Sequence, residues 1–358
     1  MLSGLISVLS FIVLLGALIF IHELGHFLTA KKVGIRVDRF SLGFPPNIFS
    51  KKWRGTEYCV GIVPLGGYVK MAGESPDEAR TGRPDEFSSK SVFQRFLVIF
   101  AGPFMNYALA IVLFSFLLLA YGVETISDTR STIGRVTVDS PADRAGLMVD
   151  DIIIAVQNQP VRNFDSLRTL ISPRAGMETN VVWLRGSDTV GAIITPAPSE
   201  RRNQEGGVDT VGQIGVLAKV IYEGRLGFFG AVSAGFGSAN RMVGQVVLFV
   251  KGYVSGEIPA TDVGGPIYIA RESANAAREG FYRFLLFMAM LSVNLAVLNI
   301  LPIPVLDGGH LLFLLVEMIK GSPVSMKARM YAQQVGIVFL LVFILFVSWN
   351  DVARLLTG

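Results

Sequence analysis

The chain has 358 residues, of which 51% are hydrophobic and 17% charged, and its mean hydropathy is +0.52. These values exclude an ordinary soluble globular protein and indicate an integral membrane protein. The net charge of +4 does not indicate a nucleic-acid partner, and the single cysteine, Cys59, excludes an intrachain disulfide and a cysteine-based metal cluster.

Four charge-free apolar runs are long enough to cross a bilayer, which takes about 20 residues. They cover residues 1–21, 96–123, 284–306 and 330–350. The first run has neither a basic leader nor a small-residue cleavage site, so we interpret it as a retained helix and not a signal peptide. The sequence therefore predicts a membrane α-helical bundle with four transmembrane helices.

The basic residues predict how these helices are oriented. Twelve lysines or arginines lie between residues 31 and 95, and Lys320, Lys327 and Arg329 lie in the short loop before the last helix. The positive-inside rule places both segments in the cytoplasm. Both termini and the long segment 124–280 are then expected on the opposite side.

The first helix contains the motif His22-Glu23-Leu24-Gly25-His26. The two histidines lie one turn apart on one helix face, so their imidazoles can bind one metal ion. Glu23 is rotated by about 100° and can approach the water of such a site without being a ligand. This is the His-Glu-x-x-His pattern of zinc metalloproteases. The structural alternative is a pair of histidines bound by neighbouring side chains, which leaves three polar groups to be satisfied in a bilayer.

The segment after the first helix, residues 38–73, is rich in glycine and proline and contains short β-like runs. We expect a hairpin or small sheet here. It is either an ordinary cytoplasmic connection or a surface whose edge pairs with an extended substrate. Residues 74–92 are polar and predict a mobile linker.

The second predicted helix contains small residues, Pro103 and Asn106. Small residues permit close approach of helices, and an amide within a membrane usually pairs with another helix. Asn106 by itself indicates no more than such a packing contact.

Residues 124–222 have the composition of a soluble domain with alternating strands and turns. The runs 133–147 and 151–158, followed by a short predicted helix over 164–171, resemble a PDZ domain, in which a peptide adds a strand along a groove. The resemblance implies one α+β PDZ unit that contacts peptide or substrate. Residues 223–256 include Arg241 and Lys251 and predict an interfacial helix, not a fifth span.

The third predicted span ends in a second polar cluster, from Asn294 to His310. Pro302 and Pro304 must end or distort the helix, which lets Asp307 project sideways. A catalytic zinc takes three protein ligands and a water, so Asp307 would complete the set begun by the two histidines. The alternative is a surface aspartate in a cytoplasmic loop. The role of His310 stays open between a fourth ligand, a partner of the ligands and an interfacial residue.

These motifs together resemble the site-2 proteases, intramembrane zinc metalloproteases, of the bacterial regulator-of-sigma-E protease type. The resemblance covers almost the whole chain and rests on the histidine motif, residues 64–71, the PDZ-like unit, residues 265–267 and residues 299–309. It implies the following roles: zinc ligands His22, His26 and Asp307, general base Glu23, and substrate-binding residues Asn294, Asn299, Gly66, Gly67 and Tyr68.

The resemblance also implies a cellular role. It implies a protein of the bacterial inner membrane, with the PDZ domain and both termini in the periplasm, that cleaves single-span membrane proteins after another protease has trimmed them. Anti-sigma factors and remnant signal peptides are the implied substrate classes, and the PDZ domain would act as a size filter. The expected partners are transmembrane substrates and the lipid bilayer, without nucleic acid.

Three other functions compete with this interpretation. A membrane scaffold could use the PDZ domain to hold partners around a structural metal site. A carboxylate di-iron protein requires a second Glu-x-x-His motif, which the remaining histidine, His310, does not provide. A zinc transporter requires a polar path through all the spans, which the sequence does not indicate.

The predicted segments divide the whole chain. They are 1–31 for the first transmembrane helix, 32–92 for a membrane-associated β-loop and linker, 93–123 for the second helix, 124–222 for the PDZ-like domain, 223–280 for the interfacial helix and connector, 281–310 for the third transmembrane helix, 311–329 for a cytoplasmic loop and 330–352 for the fourth helix.

Overall fold

The computed structural model describes residues 2–74, 81–126, 130–202, 208–224, 226–259 and 263–357. The chain forms two compact units, Met1–Leu119 together with Gly227–Gly358, and Ala120–Leu226. The first unit contains the predicted membrane helices. The second corresponds closely to the predicted inserted domain.

The described helices, in chain order, are α1 (Leu2–Lys32), α2 (Val92–Tyr121), α3 (Pro141–Arg144), α4 (Phe164–Ile171), α5 (Phe228–Val254), α6 (Pro266–Glu279), α7 (Phe281–Ile300), α8 (Asp307–Lys320) and α9 (Met326–Thr357). The strands are β1 (Val37–Trp53), β2 (Thr56–Met71), β3 (Val123–Ile126), β4 (Ile133–Val136), β5 (Ile152–Val156), β6 (Gln159–Pro160), β7 (Thr179–Arg185), β8 (Asp188–Ile194), β9 (Ala197–Arg202), β10 (Val208–Gln213), β11 (Val216–Ala218) and β12 (Val220–Glu223).

Four of the described helices are long and apolar enough to cross a membrane, as the sequence predicted. They are Ser7–Lys32 within α1, all of α2, all of α7, and Met326–Arg354 within α9. Helix α5 has 27 residues but is not among them. Its glycines, polar residues and two cations make it less apolar than the four candidates.

The boundary between the third span and the following loop differs from the prediction. The sequence predicted one helix over 281–310 and a loop over 311–329. In the structure α7 ends at Ile300, and α8 begins at Asp307 and continues to Lys320. Pro302 and Pro304 lie between the two helices, where neither can donate the hydrogen bond that would continue α7. The apolar run after Gly309 favours a helix over the predicted loop.

Residues 37–71 form the expected hairpin, in which β1 and β2 pair antiparallel. The strands join at the tip through the pair Trp53↔Thr56, and near the open end through Ser41↔Tyr68 and Leu42↔Gly67. Several register shifts interrupt the pairing. Residues 57–60 pair with both 39–42 and 49–52, so the long hairpin folds back on itself, and its open end lies beside α1.

The predicted linker 74–92 is described only in part, because residues 75–80 lie outside the described residues. Its later portion is attached to the hairpin. The Phe87 N–H donates to the Ala72 carbonyl oxygen at 2.8 Å, and the Arg36 N–H donates to the Asp85 carbonyl oxygen at 2.9 Å.

The apolar core of the first unit joins the hairpin to the helices around the histidine motif. Ala30 of α1, Val37 of β1, Val69 of β2 and Val98 of α2 are buried in one cluster. Separate clusters join α1 to α7, and α2 to α5 and α7. The histidine motif of α1 is thus held between α2 and the end of the hairpin.

The second unit has an α+β fold. Its largest sheet has the strand order β6-β5-β7-β8, and Trp183 and Ile153 are fully buried in its core. Asn163 and Ser166 form a capping box at the start of α4. A groove of about 430 Å³ lies between α4 and residues 212–218, which include β11.

Candidate metal centre

His22, His26 and Asp307 meet within the first unit, although Asp307 is distant from the histidines in sequence. The Nε2 atoms of the two imidazoles are 3.1 Å apart. His22 Nε2 lies 3.1 Å from Asp307 Oδ2, and His26 Nε2 lies 3.6 Å from Asp307 Oδ1. The structure therefore brings together the three residues that the sequence predicted as ligands.

These distances fit a tetrahedral zinc ion. Zinc binds histidine nitrogen and carboxylate oxygen at about 2.0–2.2 Å, which separates two ligand atoms of a tetrahedron by about 3.3 Å. The observed separations of 3.1 to 3.6 Å lie around this value. Asp307 Oδ2 is also buried without a hydrogen-bond partner in the described part of the chain, and a cation would satisfy it.

A backbone carbonyl of α2 orients His26. The ring nitrogen Nδ1 of His26 lies 2.8 Å from the carbonyl oxygen of Val98. Because a carbonyl only accepts, Nδ1 must carry the proton and donate it. Nε2 then keeps its lone pair toward Asp307 and His22, which is the arrangement that a metal-binding histidine requires.

Asn106, also on α2, lies beside the other histidine. Its side chain is buried, and its amide nitrogen lies 3.4 Å from His22 Nδ1, while its Oδ1 has no partner among the described residues. The hydrogen-bond network decides between the two orientations of a carboxamide. If His22 binds a metal through Nε2, its Nδ1 carries a proton and is a hydrogen-bond donor. Rotating the Asn106 carboxamide by 180° then places its acceptor oxygen, Oδ1, next to this donor. Ser292 Oγ of α7 donates to the Asn106 carbonyl oxygen at 2.7 Å and anchors this turn of α2.

Replacing Asn106 with leucine is expected to weaken zinc binding by about 10- to 100-fold, because His22 loses the group that fixes its ring orientation. Competition with a chromogenic chelator measures this affinity in the purified protein. Asn240→Leu is the matched control, since Asn240 Oδ1 accepts a hydrogen bond from Tyr107 of α2 away from the histidines. Equal zinc affinity in the Asn106 variant and the control would contradict the assigned role.

Gly102 provides the space in which the two imidazoles meet. A Cβ atom at this position would collide with His26 Nε2 and would lie 2.8 Å from His22 Cε1. In the same helix contact, a Cβ at Gly25 would collide with the backbone oxygen of Ala101. The close crossing of α1 and α2 thus depends on glycine in both helices.

Gly102→Ala is expected to abolish stoichiometric zinc binding, because the added methyl group occupies the space of the imidazoles. Metal analysis of the purified protein measures the effect. Gly16→Ala serves as the control, since Gly16 lies on α1 and a methyl group added there would have no atom within 4 Å. Full zinc occupancy in Gly102→Ala would show that the imidazoles do not converge as described.

Glu23 lies next to the cluster and faces the hairpin. It does not belong to the group of ligand atoms that converge, as the helical geometry predicted. Its carboxylate lies near the backbone N–H of Val69 in β2 and interacts with it electrostatically. A Cβ at Gly67 would lie 3.1 Å from Glu23 Cγ and 2.9 Å from the Ser41 oxygen. Glu23 is therefore positioned between the candidate ligands and the edge of β2.

The three predicted substrate-binding residues of the hairpin lie at this edge. A side chain at Gly66 would collide with the Phe44 ring, and Tyr68 stacks on the same ring with centroids 6.4 Å apart. The Tyr68 hydroxyl accepts a hydrogen bond from Arg39 at 3.3 Å. Local packing accounts for part of the residue choice at Gly66 and Tyr68. Of the three hairpin residues, Gly67 is the residue whose backbone lies directly against Glu23.

The two predicted asparagines of α7 are less closely tied to the cluster. Asn294 and Asn299 are half-buried, and within the described part of the chain neither side chain has a hydrogen-bond partner. His310 lies on the first turn of α8, but it is outside the set of converging ligand atoms. The roles of Asn294 and Asn299 stay predictions, and that of His310 stays open.

One further carboxylate lies near the cluster. Glu74 follows β2, and its Oε2 accepts a hydrogen bond from the Met71 N–H at 3.4 Å. Desolvation raises the pKa of Glu74 to about 7, against the opposing effects of that hydrogen bond and of His26.

The contribution of α2 to the site was not predicted from the sequence. Val98, Gly102 and Asn106 all contact the imidazoles or leave room for them. A signal was present, because Gly102 and Asn106 have the same four-residue spacing as His22 and His26. That spacing places each pair on one helix face. This shared spacing predicts a contact between the two pairs only once α1 and α2 are known to be neighbours.

Comparison with known proteins agrees with this geometry. The sequence profile described as Peptidase family M50 matches residues 10–343. Metalloprotease MmpA of Caulobacter vibrioides is 31% identical to this chain, and the alignment covers 99% of this chain and 97% of MmpA. Zinc metalloprotease RasP of Oceanobacillus iheyensis is 28% identical, over 98% of this chain and 99% of RasP. With its four apolar helices, the chain is a multi-pass membrane protein and belongs to peptidase family M50, the site-2 protease family of zinc metalloproteases.

Proposed function

We propose that this zinc metalloprotease is an intramembrane endopeptidase, with His22, His26 and Asp307 as zinc ligands and Glu23 as the general base. The observation that carries the proposal is the convergence of two imidazoles and one carboxylate at separations of 3.1 to 3.6 Å. The histidines and Glu23 belong to a helix that is apolar enough to cross a membrane. Ionisable groups in such a helix are expensive and are usually functional.

Zinc, when bound, supplies an activated water and polarises the scissile carbonyl group. Glu23 would act as the general base, accepting the proton of the attacking water and passing it to the leaving nitrogen. It is suited to this because its carboxylate lies beside the ligands without converging with them. Its carboxylate also interacts with the backbone N–H of Val69 in β2.

The edge of β2 is proposed to bind the substrate in an extended conformation. A transmembrane helix hides its amides, so the segment to be cleaved must unwind and regain hydrogen bonds elsewhere. Gly67 and Tyr68 pair with Leu42 and Ser41 of β1 on one side, and the backbone of Val69 interacts with Glu23 of α1. A substrate strand added at this edge would place a peptide bond next to Glu23. Asn294 and Asn299 are proposed to hold the substrate backbone from the side of α7.

The orientation and the second unit complete the proposal. The basic residues after α1 and around the start of α9 favour a cytoplasmic position for these segments and an extracytoplasmic position for both termini. For the second unit we propose a PDZ fold that contacts or filters substrates, supported by its four-stranded sheet and the groove beside α4. From the resemblance to the site-2 proteases we also propose a role in the bacterial inner membrane, after another protease has trimmed the substrate.

A reconstituted cleavage assay tests the proposal. The full-length protein in liposomes is mixed with a single-span membrane protein carrying either a long or a short extracytoplasmic domain. Cleavage within the span is expected for the short form, with loss on chelation and recovery on addition of zinc. Cleavage only outside the span, or equal cleavage after chelation, would contradict the proposed function. Equal cleavage of the long form would contradict the filter alone.

A further inference from the structure

A second buried polar cluster lies at the far end of α8 from Asp307. Arg95 of α2 donates to both carboxylate oxygens of Glu317, with Nη1 to Oε2 at 3.1 Å and Nη2 to Oε1 at 2.5 Å. Arg329 of α9 donates to Glu317 Oε2 at 3.3 Å. Arg95 and Glu317 are each 8% exposed. The cluster therefore joins three helices through one buried carboxylate.

The geometry of this ion pair is specific, whereas its net contribution to the free energy of unfolding is expected to be small. A buried ion pair must repay the desolvation of both charges, and replacing it with apolar side chains is often neutral for stability. A guanidinium that binds a carboxylate through two hydrogen bonds fixes both the distance and the direction of approach. The hydrogen bond from Arg95 lowers the pKa of Glu317, so the pair is ionised. Arg95 is also held by its own Nε, which donates to the Lys90 carbonyl at 3.1 Å.

The same helix α2 carries the groups that position the histidines. Arg95, Val98, Gly102 and Asn106 follow at intervals of three or four residues, so they share one face of α2. Each of the four is buried. The face that binds Glu317 at one end thus contacts the imidazoles farther along.

Helix α8 connects the ion pair to the third candidate ligand. Asp307 is its first residue and Glu317 lies ten residues later, about 15 Å along the helix axis. The turn 301–306, which contains two prolines, connects α7 to α8. A Cβ at Gly308 would collide with the Leu301 carbonyl, so the start of α8 is also closely packed against that turn.

We propose that Arg95 and Glu317 are positioning residues of the metal centre, which set the distance between Asp307 and the two imidazoles by fixing α8 against α2. The inference rests on the proposed ligand set. Helix α2 orients the imidazoles and α8 carries the carboxylate, so the bridge between α2 and α8 controls how the two parts of the site meet. Loss of the bridge should loosen the site even though the bridge touches no ligand.

Zinc release from the full-length protein tests this inference. The rate of transfer of bound zinc to a chromogenic chelator is measured for Arg95→Lys, Glu317→Gln and the double variant Arg95→Met with Glu317→Met. We expect release about tenfold faster than in the unmodified protein, at the lower end of the effect seen for partners of metal ligands. Thermal unfolding of the metal-free protein is measured in parallel, because faster zinc release at an unchanged unfolding midpoint is a result that a purely structural role does not produce.

The double variant keeps the test decisive where a single variant is unstable. It removes both buried charges, and Arg329, whose side chain is 23% exposed, can turn its charge toward water. Asp151→Asn is the matched control, since Asp151 is a buried carboxylate that binds Arg185 in the other unit. It is expected to lower the unfolding midpoint of that unit without changing zinc release.

Two results would overturn the inference. One is a release rate equal to that of the unmodified protein in the folded double variant. The other is loss of folding in all three variants, which would make the pair a structural element. Asp307→Asn separates these results from failure of the ligand set itself. If Asp307→Asn also leaves zinc release unchanged, the proposed ligands are wrong. If Asp307→Asn releases zinc quickly while the variants of Arg95 and Glu317 do not, only the role of the ion pair is rejected.

Discussion

Replacing Glu23 with glutamine is expected to reduce cleavage of a membrane substrate by about 10²- to 10⁴-fold, the usual contribution of a general base. Glutamine has nearly the same shape and keeps an acceptor oxygen near the Val69 N–H, but its amide cannot take a proton from water. Because Glu23 does not converge with the ligand atoms, zinc content should stay at that of the unmodified protein. Single-turnover cleavage and metal analysis of the same preparation measure both effects.

Glu257→Gln provides the matched control, since Glu257 lies just beyond α5 and outside the site. It should leave both cleavage and zinc content unchanged. Cleavage by Glu23→Gln at the unmodified rate would remove Glu23 from the mechanism. Loss of zinc together with cleavage would instead make Glu23 part of the coordination.

Replacing Asp307 with asparagine is expected to weaken zinc binding by more than about 100-fold, which exceeds the effect of removing a group that only orients a ligand. The amide is neutral, so the site loses the single negative charge that converges with the two imidazoles. Cleavage should disappear with the metal. Equilibrium dialysis against buffered zinc measures the affinity directly.

Asp351→Asn separates this effect from the general cost of changing a buried carboxylate. Asp351 is 4% exposed and accepts hydrogen bonds from the backbone N–H groups of Gly265 and Tyr268 at 3.0 and 2.9 Å. Its replacement is expected to destabilise the start of α6 and to leave zinc affinity unchanged. If both variants lost zinc to the same extent, the role assigned to Asp307 would be wrong.

The histidine motif could be predicted from the sequence because its geometry is local. Four residues along a helix bring His22 and His26 to one face, whatever else the chain does. Asp307 was predicted for a different reason, from the two prolines that interrupt an apolar run and from the charge of the loops. Both signals lie in short segments, and the structure brings all three residues together.

The surroundings of the site could not be predicted because they depend on which helices are neighbours. Nothing local to α2 indicates that the Val98 carbonyl faces His26 or that Gly102 leaves room for two rings. Arg95 and Glu317 are separated by most of the chain, and only the packing of α2 against α8 makes them a pair.

The length of α8 was also missed, for a local reason. The sequence prediction placed Lys320, Lys327 and Arg329 in a cytoplasmic loop and began that loop at residue 311, so it included the apolar residues that precede them. The structure continues α8 to Lys320 and ends it at Gly321, which adopts a left-handed conformation with φ of 72°. A glycine at this position is a regular stop signal for a helix, and it was present in the sequence.

X-ray absorption spectroscopy of the zinc in the purified full-length protein tests the proposed centre most directly. We predict one zinc per chain, surrounded by nitrogen and oxygen at about 2.0–2.2 Å with the scattering pattern of two imidazoles. Sulfur at about 2.3 Å, or zinc that remains after both His22 and His26 are replaced with alanine, would contradict the proposed centre.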